Sequence, residues 1–520
     1  TRKDITAMKK FAEVTMGVLL QESDVNRCKN ERAAEHLPEE VEFDLFMKKT
    51  DLILKKVLPL LLAGTMLFGT AACTEPTQKP QYGEDVPTYE TDEEFYIGMW
   101  IGVPSSMKTY DEETGVVIDE GRALTDEEFD QHYKLIKEAG FNYVDPGYGE
   151  TAPSYNERAL AAAQKYGLHQ YVHDNEINAW LMDDIRTDEE AETKLAQLAQ
   201  RYTKYDSFAG LKIRDEPSID QIADYSYAKK RFDKVFGDKN FYINLFPVIA
   251  GSSLISADYK DYIKEYVKEI NTPFVSYDHY PLKVNSRGQN YVIENFLWNM
   301  ELVREAAPNK QMWTFLQSMG YGSSNRELTS VADATFQAYS FLAYGGNGIQ
   351  WFCYWSPPVF DGATVFKDAC IDRSGKTTKN YDYIKQANLE IRALEDIYLN
   401  FDWQGVMTTI GSENDNGGEN NSFNYLSTHV KASHDRIKSM KTQQDTFTGV
   451  FKDAQGRDGF MIVNYTEPSQ NLKNKVELQF NNCTRAIVVK KGVQEVVDCT
   501  NGALTFTMDA GEGYFVIPLK

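Results

Sequence analysis

The sequence is poor in cysteine. Six in 520 residues cannot build the disulfide framework that holds small secreted domains together. It is also short of cations: 55 Lys and Arg face 77 Asp and Glu, a formal net charge of −22. A surface of that sign repels phosphate backbones and anionic headgroups, which excludes nucleic acid as a partner and argues against a membrane-surface protein. The uncharged apolar run from Val57 to Ala72 is short for a membrane span. No Gly-x-Gly-x-x-Gly turn follows the first apolar strand, so the dinucleotide-binding signature is missing. Nor is there a Gly-x-Ser-x-Gly elbow to support esterase chemistry. Asp145, His173, Asp278 and His279 lack the close spacing of a zinc motif, and Gly320-Tyr321-Gly322-Ser323-Ser324 is a weak phosphate loop in an acidic chain. No metal and no other cofactor is expected.

Aromatic residues are abundant: 31 Tyr, 28 Phe and 7 Trp. Most such rings fill cores, and the same rings suit the apolar faces of sugars. An apolar share of 42% and a charged share of 25% describe a globular chain. Its length fits a barrel of about 250 residues plus a smaller module.

From Met47 the chain reads MKKTDLILKKVLPLLLAGTMLFGTAAC, a basic start, an apolar run and small residues before Cys73. This is the pattern of a secretory leader. Thr70-Ala71-Ala72-Cys73 resembles the lipobox of bacterial lipoproteins, although Thr70 stands where that family usually has an aliphatic residue. The resemblance implies lipid on Cys73, removal of the preceding residues and a place in the cell envelope, with the lipid as the sole membrane contact. Plain secretion is the alternative. Residues 1–46 form an upstream segment with no assigned role, residues 47–73 the leader, and residues 74–92, rich in Pro, Gln, Glu and Thr, a tether.

Between 93 and 400, short apolar or aromatic runs alternate with stretches of helical period, which predicts parallel strands covered by helices. Eight strands are expected within 95–103, 141–149, 168–176, 208–218, 241–247, 272–281, 311–318 and 348–357. Helices are expected over 125–140, opened by a Thr-x-x-Glu capping box, and over 257–271, 291–308 and 380–399. Eight such units predict an α/β fold, a (β/α)8 TIM barrel. Over 401–520 short strands separated by Gly, Asn and Asp predict a C-terminal β-sandwich. Cys483 and Cys499 flank a hairpin turning at Lys491-Gly492, which places them near each other, bridged or as two thiols.

Catalytic groups of such barrels stand at the C-terminal strand ends. Here those ends offer Asp145 and Tyr148, His173, the segment Arg214-Asp215-Glu216-Pro217, Asp278-His279-Tyr280, Gln317, and Tyr354-Trp355. Carboxylates and aromatic rings around one mouth describe a sugar site, since glycosidic cleavage needs a carboxylic proton donor and a second carboxylate. Glu216 is the expected donor, with Pro217 ending the strand behind it. Strict alternation puts Arg214 and Glu216 on one face and Asp215 on the other. Trp355 is the expected stacking platform. His279 is either a hydroxyl-binding group or a partner of the neighbouring strand.

The segment resembles clan A retaining glycoside hydrolases, whose acid/base Glu follows strand four, usually after Asn. Here Asp215 holds the Asn position, and Gln317 stands where that clan has its strand-seven nucleophile. The Asp215-Glu216 pair also resembles that of substrate-assisted hexosaminidases, in which the substrate's acetamido oxygen is the nucleophile. That resemblance would make Asp215 the orienting group and Glu216 the acid. Asp278 or Asp145 as base or nucleophile is the other route to a complete site. A non-catalytic carbohydrate-binding protein with a degenerate hydrolase barrel is the reading from another class. In each case the partner is a carbohydrate, and nothing in the sequence sets the oligomeric state.

Overall fold

The computed structural model describes residues 86–520 apart from 112–115, 359–363 and 415–416. The upstream segment, the leader with Cys73 and most of the tether lie outside the described residues. Eight strands form one parallel sheet: β1 Tyr96–Trp100, β2 Tyr143–Val144, β3 His169–Val172, β4 Phe208–Asp215, β5 Asn240–Leu245, β6 Phe274–Asp278, β7 Gln311–Gln317 and β8 Gly348–Phe352. Their order is 1-8-7-6-5-4-3-2, so each strand lies beside its sequence neighbour and the sheet curls round. Across the last gap the Asn142 and Gly102 amides donate to the carbonyls of Ile97 and Pro146 at 3.1 and 3.0 Å, joining β1 to β2. A side chain at Gly102 would sit 2.0 Å from the Asp145 carbonyl. Only glycine permits that approach at the rim.

Helices cover the outside because each carries an apolar stripe and a cap. In α1, Asp126–Glu138, Thr125 and Glu128 form the expected capping box, and Phe129, Tyr133 and Ile136 face the sheet. Helix α7 spans Phe296–Ala306 and does not begin near Tyr291, since Asn290–Val292 pairs with Leu282–Val284 in a short hairpin after β6. The Tyr-Val-Ile run at 291–293 favours extended backbone over helix. The long α9, Lys379–Tyr398, covers the closing gap: Asn388 accepts from the Trp351 indole at 2.8 Å and donates to the Ala139 carbonyl at 2.9 Å. No helix among the described residues is long and apolar enough to cross a membrane.

From Phe401 the chain builds two antiparallel sheets, of six and three strands, whose facing sides bury a core including Phe460, Ile462, Val476, Leu478, Val488 and Val516. Arg326, in the loop after β7, ties them to the barrel. Its guanidinium is 6% exposed and pairs with Asp333 at 2.5 Å and with Glu467 of the C-terminal part. Cys483 and Cys499 flank the hairpin of Arg485–Lys490 and Val493–Asp498. They are hydrogen-bonded to each other as free, buried thiols.

Candidate active site

The chemistry gathers where β4 stops behaving as a regular strand. Its register against β5 slips between Lys212 and Arg214, so that Lys212 faces Tyr242, Arg214 faces Ile243 and Asp215 faces Asn244. The extra residue, Ile213, is a bulge, a device that re-aims side chains. Expected alternation therefore fails here: Asp215 turns inward to Asn244 and does not point away from the mouth. Glu216 then takes a left-handed backbone, φ 47°, with its amide donating to the Asn244 carbonyl at 2.9 Å. For a non-glycine residue that conformation costs about 1–3 kcal/mol, and such strain concentrates at functional sites. It brings the Glu216 carboxyl from β4 into a hydrogen bond with Asp278 at the end of β6.

The two carboxyls share a proton for physical reasons. Burial, reinforced by the charges of Asp278 and Asp215, pushes Glu216 well above the carboxylate range, so it is the protonated partner. Burial and then the Asp215 charge lift Asp278 to about 7, while the bond from Glu216 holds it down. Asn244 fixes the acceptors: its Nδ2 donates to Asp215 at 3.2 Å and to Asp278 at 3.1 Å. Its own oxygen accepts from Ser276 at 3.0 Å, and Ser276 Oγ lies 2.7 Å from the Tyr242 hydroxyl. Gln350 Nε2 donates to the Tyr242 hydroxyl at 2.7 Å, and its Oε1 accepts from Tyr96 at 3.0 Å. A polar ladder thus rises through the barrel interior and ends on the carboxylates.

Beside it stands Lys212, 8% exposed, its ammonium 2.8 Å from Asp145 and over the rings of Tyr242 (3.4 Å) and Trp100 (4.4 Å). Burial depresses this lysine against the pull of Asp145, and burial raises Asp145 to about 6 against the pull of Lys212. Arg214 is half-buried and its charge acts on Asp215 and Tyr225. His173 is half-buried next to the N-cap Asp174, its imidazole held low mainly by burial.

Aromatic rings form the wall. Tyr280 is half-buried and feels the charge of Asp278, and its ring lies 5.6 Å from Tyr321 and 5.5 Å from Phe352. Trp100 and Phe352, at the ends of β1 and β8, are partly exposed, and Tyr148 is 44% exposed.

Four expected site residues lie elsewhere. His279 is fully buried, bonded through Nε2 to Asn295 at 3.0 Å beside α7, with burial driving its pKa to about 3. It is the structural partner of a neighbouring element. Tyr354 and Trp355 turn outward against α1, where His132 meets the Tyr354 hydroxyl at 3.3 Å and the Trp355 ring at 4.8 Å. The inward face of β8 belongs to Gln350 and Phe352, so Trp355 does not face the mouth, where Phe352 and Trp100 stand. Gln317 is fully buried, and its amide is spent on the Arg326 carbonyl. Sequence reasoning missed Lys212 and Asn244. The available signal was one polar residue inside an otherwise apolar strand, in FAGLKI and FYINLF.

No protein-family model matches the sequence, and no curated protein is significantly similar. Solved structures with a similar chain path include an Anoxybacillus α-amylase at 11% identity and a TM-score of 0.45, covering 82% of this chain and 98% of that one. A family 39 glycoside hydrolase from Bacteroides cellulosilyticus shows 11% identity and a TM-score of 0.43, covering 81% and 80%. A GH27 β-L-arabinopyranosidase from Geobacillus stearothermophilus shows 11% identity and a TM-score of 0.42, covering 82% and 96%.

Proposed function

We propose that this protein hydrolyses glycosidic bonds, with Glu216 as general acid/base and Asp278 as nucleophile. The observation that carries the reading is the Glu216–Asp278 pair, two carboxyls in hydrogen-bond contact at the mouth-side ends of two strands, both raised by burial and by neighbouring carboxylates. Glu216 gives its proton to the leaving oxygen as the anomeric C–O bond breaks. Asp278, released from its hydrogen bond, attacks the anomeric carbon. Water then cleaves the glycosyl ester while the Glu216 carboxylate takes its proton. A pair that starts in contact is nearer the ~5–5.5 Å spacing of retaining enzymes than the ~6.5–9.5 Å of inverting ones. Asp215 and Lys212 then set the field around the pair, and Trp100, Phe352 and Tyr280 give the sugar its apolar surface. On the leader sequence alone, the same proposal places the protein in the cell envelope, lipid-anchored at Cys73.

The test is a screen of aryl glycosides and glycans with the wild type, Glu216→Gln and Asp278→Asn, with product stereochemistry followed by NMR. Each substitution is expected to cut turnover by about 10²–10⁴ while the protein stays folded. Unchanged turnover in Glu216→Gln rejects the assignment, and an inverted product rejects Asp278 as nucleophile.

A further inference from the structure

A cavity of about 650 Å³ lies away from the carboxyl cluster, between the hairpin after β6 and the C-terminal sheets. That volume is within the roughly 300–1,000 Å³ of small-molecule sites. The hairpin connects the two places. Its first strand, Leu282–Val284, follows Asp278 closely and touches the loop that carries Tyr321, through Lys283 and Asn325 at 2.6 Å. Its second strand reaches the C-terminal part through Asn290 and Ser469 at 2.9 Å.

The lining states the ligand's chemistry. Among the described residues Asn and Gln amides predominate, carboxylates and tyrosines follow, and no Lys, Arg or His takes part. Phosphates, uronates and other anions would meet Glu294, Glu413 and Asp445 with no counter-charge. An apolar ligand would strip water from amides and carboxylates without replacing their hydrogen bonds. Among the described residues no group of three or more His, Cys, Asp or Glu is placed to hold a metal ion. An uncharged, hydroxyl-rich ligand satisfies the same groups.

The site is also built in advance. Asp445, 7% exposed, accepts from Asn414 at 2.7 Å, Asn420 at 2.8 Å and the Gly411 amide at 2.9 Å. Glu413 accepts from Gln443 and Gln444 at 2.9 Å each. The amides are thereby oriented before a ligand arrives. Two tyrosines of the lining keep an open face: Tyr291 is 39% exposed, and Tyr425 is 42% exposed and backed by Trp298 with ring centroids 5.5 Å apart. Exposed rings beside fixed amides suit the apolar face and the hydroxyls of a sugar.

We propose that this cavity is an accessory subsite for an uncharged saccharide chain, and that the substrate is a polymer long enough to occupy both the cavity and the mouth. The polymer claim rests on the hydrolase reading; the binding claim does not. Affinity electrophoresis of the full chain carrying Glu216→Gln, against xyloglucan, galactomannan, arabinogalactan and soluble starch with polygalacturonate as the anionic control, tests binding without turnover. At least one neutral polymer should retard the protein, and Tyr291→Ala with Tyr425→Ala should weaken that retardation at least tenfold at an unchanged melting temperature. Tyr291→Ala alone, which leaves the Trp298 contact intact, should give part of the loss. On the active protein the double variant should keep kcat/KM for an aryl monoglycoside and lose about tenfold on the polymer. Preference for polygalacturonate, no retardation by any neutral polymer, or retardation indifferent to both tyrosines would overturn the subsite. Retardation that depends on the tyrosines in a protein inactive on every glycoside would retain the subsite and remove the hydrolase reading.

Discussion

Asp278→Asn should make the protein more stable at alkaline pH and leave it nearly unchanged at pH 4. In the folded state Asp278 is lifted from 3.8 to about 7. The native protein therefore holds this proton more tightly than the unfolded chain does. The associated stability is fully present below about pH 4 and is lost as pH rises through about 7. At 1.36 kcal/mol per pH unit the rise corresponds to about 4 kcal/mol. The proton is shared with Glu216, so part of this belongs to the pair and the figure is an upper bound for Asp278 alone. Asparagine keeps the shape and can still accept the bonds from Asn244 and Glu216, so the substitution removes charge with little loss of packing.

The shift is measurable. With an unfolding entropy of about 2.1 cal/mol/K per residue, roughly 430 residues give about 0.9 kcal/mol/K, and about 4 kcal/mol becomes about 4 °C in Tm. Calorimetry of both proteins from pH 4 to 8.5 should show curves that coincide near pH 4, diverge as pH rises from about 4 to about 7 and run apart above that, with the variant higher and inactive. A constant offset at every pH, or a wild type that is the more stable at pH 8, would refute the account of the carboxyl pair.

Lys212→Met should strand Asp145 without its counter-charge and cost about 3–5 kcal/mol, and adding Asp145→Asn should recover most of it, read by chemical denaturation. Tyr280→Phe removes a hydroxyl beside Asp278 while keeping the ring, so kcat should fall about tenfold with KM little changed, measured on the best substrate of the glycoside screen. Arg326→Met leaves Asp333 and Glu467 buried without a counter-charge, held only by donors from Thr329, Ser330 and Ser469; a loss of about 3–5 kcal/mol is expected, together with separate melting of the barrel and the C-terminal sheets in place of a single transition.

Strand positions were legible because buried parallel strands read as apolar runs, and every barrel strand falls inside a segment marked from sequence apart from β5, which starts one residue early at Asn240. Helix α1 was legible to its cap for the same kind of reason: Thr125 and Glu128 act within one turn. The direction of individual side chains was not. It hangs on one-residue events that leave little trace in composition: the bulge at Ile213, the left-handed Glu216, and the turn after Phe352 that sends Tyr354 and Trp355 outward. Period-two reasoning fails at the rim because strands end there, and the ends are where the site is built.

The same logic explains why Gln317 need not be the gap that the strand-seven comparison suggests. A second carboxylate is required near Glu216, not at a given strand. In the proposed hydrolase reading β6 supplies it through Asp278, which Asn244 on β5 holds by a hydrogen bond. Asn244 can do so because Ser276 occupies its oxygen, which forces both amide hydrogens toward Asp215 and Asp278. Ser276 is in turn anchored by Tyr242 and Gln350. The barrel interior thus orients the mouth from below, and Gln317, buried under the Arg326 loop, is left a structural task in the wall.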